Sequence, residues 1–234
     1  MALAGDLKRL LPPDAVIEEP EQLKTYECDG LTGHRVVPSL VVLPATTEQV
    51  QGVVRACHTA GTPFVARGAG TGLSAGALPV ADGVVVSLTR MNRILEVDLD
   101  SERIVVEPGV TNLQVTEAVN GEGYYYAPDP SSQQVCTIGG NVAENSGGAH
   151  CLKYGFTVNH VTGLAVVLPD GELLRLLPHP LLELAGMPQP QLPLPPMRVV
   201  GALDKPVEVS AALAAELLAG PPARLGQTVI RSSA

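Results

Sequence analysis

Apolar runs and helical spacings alternate along residues 38–110 in an order that predicts strand, helix, strand. "SLVVLP" reads as a buried strand ending at Pro44. In the following "TTEQVQGVVRACHTAG", Val50, Val53, Val54 and Cys57 keep helical spacing, Thr46 and Gln49 have capping-box spacing, and Gly61 stands at the stop position. "PFVA" is the returning strand. "GVVVSL", "RILEVD" and "RIVVEPG" then predict three more strands arranged as a meander, the last two joined by the turn-like "LDSE". A second helix is predicted over "TNLQVTEAVNGEG", opened by Thr111 and Gln114 and closed by glycine. "HVTGLAVVLPDGELLRL" has the signature of a hairpin turning at Pro169–Gly171.

Two stretches lack either period. Residues 124–155, rich in Gly, Ser and Asn, read as a long irregular segment, and segments of that length in a compact domain are usually functional. From about residue 177 the chain becomes Pro-rich, with ten of its 21 prolines and no aromatic residue. Only "VEVSAALAAELLAG" is predicted helical there. Residues 1–37, broken at Pro12, Pro13 and Pro20, predict a leading helix and a strap. The expected division is therefore residues 1–37, a domain over 38–176, and a tail over 177–234.

Composition narrows the function classes. With 45% hydrophobic and 17% charged residues, the chain is globular in character. It has no apolar run long enough for membrane insertion, and Asp6, Lys8 and Arg9 interrupt any secretory core, so a cytoplasmic location is expected. A net charge of −9 argues against nucleic acid as partner. Cys28, Cys57, Cys136 and Cys151 are spaced for neither a zinc ribbon nor a disulfide framework and are expected as thiols. The five histidines show no short ligand spacing, and no metal site is expected. His150 and Cys151 are adjacent, which usually turns two side chains apart, so a thiolate pair is not expected either.

The chemistry concentrates in "RGAGTGLSAGALP", residues 67–79. Residues 70–75 satisfy the dinucleotide pattern G-x-G-x-x-G/A, but that motif needs a helix beginning within the glycines. Here Pro79, Asp82 and Gly83 intervene before a strand. A loop between two strands, whose successive N–H groups form an anion nest, fits better, with Thr71 and Ser74 as added donors and Arg67 at the rim. The bland alternative is a tight connection that binds nothing.

In combination, "VLPATTEQV", "RGAGTGLSAGALP", "VVVSLTRMNRILEVD", "VEPGVTNLQ", "PDPSSQQVCTIGGNVAENSGGAHCLKYG" and "HVTGLAVVLPDGE" resemble the FAD-binding subunit of glycolate oxidase and related D-2-hydroxyacid (D-lactate type) dehydrogenases, in the vanillyl-alcohol oxidase superfamily. The resemblance covers residues 40–176. It implies an α+β fold, an FAD-binding PCMH-type domain of two small α/β subdomains, in which the loop Arg67, Gly68, Ala69, Gly70, Thr71, Gly72, Leu73 and Ser74 holds the FAD pyrophosphate. By the same resemblance, Pro108 and Gly109, then Pro128, Asp129, Ser131 and Ser132, then Thr137, Gly139, Gly140 and Asn141, and finally Asn145, Gly147, Gly148, Tyr154 and Gly155 line the rest of the cofactor. Asp129 has a plain alternative as a turn residue, and Tyr124–Tyr126 read as strand and core rather than as a stacking platform. Superfamily members that bind FAD covalently use a His near this loop; Gly70-Thr71-Gly72 offers none, so FAD is expected to be non-covalent. Ala75 stands where a further glycine is common, a change expected to be tolerated.

The implied reaction is oxidation of a small 2-hydroxyacid, glycolate or D-lactate, to the 2-oxoacid by hydride transfer to flavin, with partner subunits of an oxidase complex. The family's substrate-binding cap, which supplies its Arg and His groups, is not recognisable after Leu176, and no general base is identifiable. Residues 177–234 therefore read as a truncated or frame-shifted end, with a catalytically silent FAD-binding fragment as the alternative function. A carbohydrate or cell-wall-precursor oxidoreductase of the same superfamily is a third.

Overall fold

The computed structural model describes residues 2–176 and three short strands further on, Arg198–Val199, Val207–Glu208 and Val229–Arg231. The chain divides into two units, one of residues 1–176 with 226–234 and one of residues 177–225.

The first unit opens with α1 (Ala2–Leu10), β1 (Val16–Ile17) and the short α2 (Pro20–Leu23), followed by β2 (Leu40–Val42), α3 (Thr47–Ala60), β3 (Phe64–Arg67) and β4 (Val84–Ser87). The strand–helix–strand expectation holds in its details. Thr46 accepts a hydrogen bond from the Gln49 backbone N–H at 3.3 Å, and Gly61 closes α3 in the left-handed region at φ 60°. The Gln49 side chain reaches Ala45 N–H at 2.7 Å, one residue earlier than in a strict capping box.

The meander, however, is corrected. β4 lies inside a sheet of order β1-β2-β4-β3, parallel to both β2 and β3, while β5 (Ile94–Asp98) and β6 (Arg103–Val106) form a separate antiparallel hairpin. The physical reason is visible in the burial. Val84, Val85 and Val86 are all at most 2% exposed, because α1 with the Leu11 that follows it and α3 cover one face through Leu7, Leu11, Val53 and Cys57 while Leu23 covers the other. An uninterrupted apolar run suits a strand buried on both faces rather than the edge of a meander. Each of these valines contributes about 2 kcal/mol through burial.

A second, smaller core gathers Val110, Val115 and Tyr126, with Ile104, Val106 and Ile138 packed against it. It is built by β6, by α4 (Asn112–Val119), by β7 (Tyr124–Tyr126) and by α5 (Ile138–Glu144). α4 carries the full capping box, Gln114 N–H to Thr111 Oγ1 and Thr111 N–H to Gln114 Oε1. The tyrosine run is strand, as read, with Tyr126 in the core.

The long irregular segment is corrected too, since residues 124–155 contain β7, α5 and α6 (Cys151–Tyr154), and a 3-10 turn over Thr157–His160 follows. Pieces this short, with two glycines inside α5, leave no readable period. The predicted hairpin is β8 (Leu164–Val167) with β9 (Leu173–Leu176), and Gly171 at φ 83° makes the turn. Gln51 and Arg55 of α3 both donate to the Gly171 carbonyl, at 2.9 and 3.0 Å, and pin that turn.

Further along, β10 (Arg198–Val199) pairs antiparallel with β11 (Val207–Glu208), and β12 (Val229–Arg231) pairs antiparallel with β7. Val207 and Glu208 thus leave the predicted helix over 207–220, as Pro206 and a β-branched residue favour; the remainder of that helix lies outside the described residues. The architecture is α+β.

Candidate functional site

Gly68–Gly83 connects β3 to β4, which are parallel neighbours. A parallel pair cannot be closed by a tight turn, because the chain must return to the starting end of the sheet. The tight-connection reading therefore fails, and no helix makes the crossover.

Two contacts fix where this loop lies. A Cβ on Gly68 would land on Thr137 Oγ1, so the loop begins against the residue that caps α5. A Cβ on Gly30 would stand 2.7 Å from the Gly72 carbonyl and 2.8 Å from that of Thr71, so the N-terminal strap runs directly beneath the loop. The glycine loop and the Gly/Asn-rich stretch, distant in sequence, are thus brought together. Gly70 takes φ 73°, and the Arg67 guanidinium also occupies the space a side chain there would need, so the position requires glycine twice over.

Arg67 is not at the rim. It is 9% exposed, donates from Nη1 to the carbonyls of Cys28 at 2.8 Å and Ala77 at 3.2 Å, and lies 5.6 Å from the Tyr26 ring centre. Burial pulls its guanidinium below the usual range, with Asp29, Cys28 and Tyr26 opposing. The expectation of rim charge is corrected: Arg67 props the loop from below. Ala75 is also informative, being a non-glycine residue at φ 60°.

The loop's own donors remain available. Among the described residues, no hydrogen bond uses the backbone N–H groups from Gly68 to Gly76, including those of Ala69, Leu73 and Ser74. Gly72 leaves room beside that backbone, since the nearest atom a Cβ would meet is Glu144 Oε1 at 4.0 Å. Gly76 packs on the same carboxylate.

The start of α5 behaves oppositely. Ile138 N–H donates to Val110 O at 2.8 Å, Gly139 N–H to Pro108 O at 2.8 Å, and Gly140 N–H to Thr137 Oγ1 at 3.4 Å. Gly139 is a close-packing residue, its Cβ position 2.7 Å from Pro108 Cβ, and Gly109 serves similarly under Met91 O at 2.6 Å. Asn141 differs again, being 1% exposed with an Nδ2 that has no partner among the described residues. Asn112, missed in the sequence, is equally buried; it donates to Pro128 O at 2.9 Å, and its Oδ1 has no partner among the described residues.

Beyond α5, several expected contact residues are engaged within the fold. Asn145 closes α5 at φ 50° and accepts from Val158 N–H at 2.9 Å. Gly147 packs on Phe156 and Cys151, and Gly155, at φ 87°, on Asn159. Ser132 O accepts from Val135 and Cys136, both at 2.8 Å, and Ser131 is exposed in the same turn. Gly148 is pressed onto the Asp129 carbonyl.

Asp129 is more than a turn residue. Its carboxylate takes His150 N–H on Oδ1 at 3.0 Å and His150 Nδ1 on Oδ2 at 2.6 Å. Burial alone would raise Asp129, but these bonds from His150 hold it below the usual carboxylate range. Cys151 Sγ accepts instead from Gly148 N–H at 3.0 Å. Tyr154 lies edge-on to Tyr125, 6.3 Å between ring centres, and its phenol is lowered by Lys153 and then by Tyr125.

Gly30, Asn112, Glu144 and the Asp129–His150 pairing carry no local signal in the sequence, because each depends on residues meeting across the fold.

Residues 38–177 match a protein family described as FAD binding domain. The chain is 49% identical over 170 residues to glycolate oxidase subunit GlcD of Escherichia coli (strain K12), covering 73% of this chain and 34% of that protein. It is 38% identical over 175 residues to D-2-hydroxyglutarate dehydrogenase of Stutzerimonas stutzeri (strain A1501), covering 75% and 38%. The chain thus spans about a third of the length of the curated relatives it matches. Among solved structures it is similar to alkyldihydroxyacetonephosphate synthase, with a TM-score of 0.68 at 24% identity over 75% of this chain and 34% of that one. Among the described residues, no helix is long and apolar enough to cross a membrane.

Proposed function

Because this chain belongs to the FAD-binding domain family, with FAD as the cofactor of that domain, we propose that it is the cofactor-binding portion of an oxidoreductase that converts a D-2-hydroxyacid to the 2-oxoacid. Glycolate and D-lactate are the substrates meant. The support for this finer reading is the likeness to GlcD and to the D-2-hydroxyacid dehydrogenases.

The observation that carries the reading is the row of N–H groups over Gly68–Gly76 that no described residue engages. A pyrophosphate presents a dianion that needs several converging donors, and a nest of backbone amides supplies them without a helix terminus. The residues fit such a group. The backbone is bare where it must be approached, and among the described residues Gly72 has open space beside it and the buried amide of Asn141 has nothing to donate to. A buried donor left unpaired costs about 1–3 kcal/mol, a deficit that a ligand carbonyl or hydroxyl removes.

In this proposal the amides of Gly68–Ser74, helped by the hydroxyls of Thr71 and Ser74, hold the pyrophosphate. Asn141 and the segment from Gly147 to Gly155 face the sugar and ring portions. FAD, when bound, supplies the hydride acceptor. Residues 67–77 contain no His, Cys or Tyr, which supports non-covalent attachment. Partner chains of an oxidase complex belong to the same proposal, drawn from relatives that are named as subunits.

Titration of the purified chain with FAD, followed by reduction of the bound flavin with D-lactate or glycolate, tests this reading. Saturable uptake and bleaching of the flavin absorbance are expected, and absence of uptake overturns it. A second reading, FAD binding without turnover, is favoured by the match to only about a third of each relative. Uptake with no bleaching by either substrate would select it.

A further inference from the structure

The strap between α2 and β2 meets the glycine loop at Gly30, and the polar atoms it meets there are acceptors. A Cβ on Gly30 would stand 2.7 Å from the Gly72 carbonyl oxygen and 2.8 Å from that of Thr71, with Leu73 Cδ2 at 3.1 Å. Among the described residues, neither carbonyl accepts a hydrogen bond. Two successive carbonyl oxygens therefore lie against the strap. In a trans peptide the N–H of the following residue points the opposite way, so the N–H groups of Gly72 and Leu73 turn from the strap toward the other side of the loop. Adjacent N–H groups turned the same way form the concave kind of site that takes an anion.

Charge selects the same side. Asp29, next to Gly30, is 5% exposed, and its Oδ2 has no partner among the described residues. It offsets the buried Arg67 guanidinium, whose Nη1 is already committed to Cys28 O and Ala77 O. An anion on the strap side would meet a buried carboxylate and two carbonyl oxygens, all of which repel it.

Strap and loop also differ in what holds them. Asp29 Oδ1 accepts from Leu31 N–H at 2.9 Å, Val36 N–H donates to Glu27 O at 2.8 Å, and Arg67 donates to Cys28 O at 2.8 Å, so the strap is tied on both sides of Gly30. The loop's own ties lie at its far end, where Leu78 N–H meets Ala75 O at 3.1 Å and Arg67 meets Ala77 O at 3.2 Å. Where the two press together, the strap sets the shape and the loop follows it.

We propose that Gly30 is a positioning residue of the cofactor site, an inference that rests on the function proposed above. Its bare α-carbon seats the Thr71 and Gly72 carbonyls and thereby directs the Gly72 and Leu73 N–H groups at the FAD pyrophosphate. The site then extends to the strap around Gly30, ahead of the FAD-binding domain match at residues 38–177. It is an anion receptor of neutral amides, with the charges of Arg67 and Asp29 kept on the opposite side of the loop.

The test compares Gly30→Ala with Gly33→Ala in the full chain, because among the described residues a Cβ on Gly33 meets nothing within 4 Å. Neither glycine is at positive φ, so contact alone separates the two substitutions. Gly30→Ala should raise the FAD dissociation constant about tenfold or more, as expected when an amide-to-phosphate hydrogen bond is lost, and Gly33→Ala should leave it unchanged. Both cofactor-free variants should melt with the parent, since no residue from Gly68 to Gly76 is buried. Amide hydrogen exchange on the parent, read by NMR, is the second measurement: FAD should slow exchange at both Gly72 and Leu73. If the parent takes up no FAD, the function proposed above fails. If the parent takes up FAD and folded Gly30→Ala binds it as tightly, or FAD leaves exchange at Gly72 and Leu73 unchanged, the strap's role alone is overturned and the cofactor reading stands. Should Gly30→Ala fail to fold, exchange in the parent decides, supporting the role if both amides are slowed and overturning it otherwise.

Discussion

Two glycine-rich regions of this chain look alike on paper and differ in the fold. The loop Gly68–Gly76 and the start of α5, Thr137–Asn141, both place small residues beside candidate cofactor contacts. In α5 the N–H groups of Ile138, Gly139 and Gly140 already serve Val110, Pro108 and Thr137. In the loop, none of the corresponding groups is engaged among the described residues. Glycine content therefore reports close approach of something to the backbone, and only the hydrogen-bond partners say whether that something is the protein itself or a ligand. On this argument α5 is a support on which the loop rests, through Gly68 and Thr137, and the loop is the surface that receives the anion.

The contrast can be broken or sharpened in order of effect. Gly139→Ala puts a methyl group 2.7 Å from Pro108 Cβ and 3.1 Å from Pro108 O, so α5 must shift. A loss of about 2–3 kcal/mol is expected in urea unfolding; a neutral result would mean that α5 packs more loosely than described. Arg67→Met removes two hydrogen bonds to carbonyls beneath the loop and should cost about 2 kcal/mol, with any weakening of FAD following from the loop's disorder. If instead FAD affinity falls while the melting temperature is unchanged, Arg67 acts on the ligand and the propping role is wrong. Thr137→Val deletes the cap of α5 and should cost about 1 kcal/mol. Ala75→Gly should stabilise by roughly 0.5–1 kcal/mol, because a residue at φ 60° carries a strain that glycine lacks; a destabilised variant would show that the Ala75 methyl contributes packing.

What could be read beforehand follows the same division between local and distant. The α3 unit was legible because its signals are local, Thr46 at one end, Gly61 at the other and Val53 and Cys57 between them. The position of β4 is not legible from its own residues, since strand partnership is a long-range property. Its unbroken Val84-Val85-Val86 was nonetheless the available hint of burial on both faces. α5 escaped notice because seven residues with two glycines carry no period, although Thr137 was a readable cap. In the candidate site the glycine loop was legible as a loop for close approach. The inward turn of Arg67 toward Cys28 and Ala77, the strap's Gly30 beneath the loop, and the meeting of Asp129 with His150 all required the folded chain.

The central claim, that bare backbone at the loop receives the FAD pyrophosphate, is tested most directly at Gly72. Among the described residues its Cβ position meets nothing closer than Glu144 Oε1 at 4.0 Å, and its φ lies outside the left-handed region. Gly72→Ala should therefore leave the melting temperature of the cofactor-free chain unchanged. Its dissociation constant for FAD, read by flavin fluorescence, should rise about tenfold or more, as expected when about 1.4 kcal/mol of close contact is lost. An unchanged FAD affinity in a normally folded Gly72→Ala variant would contradict the account.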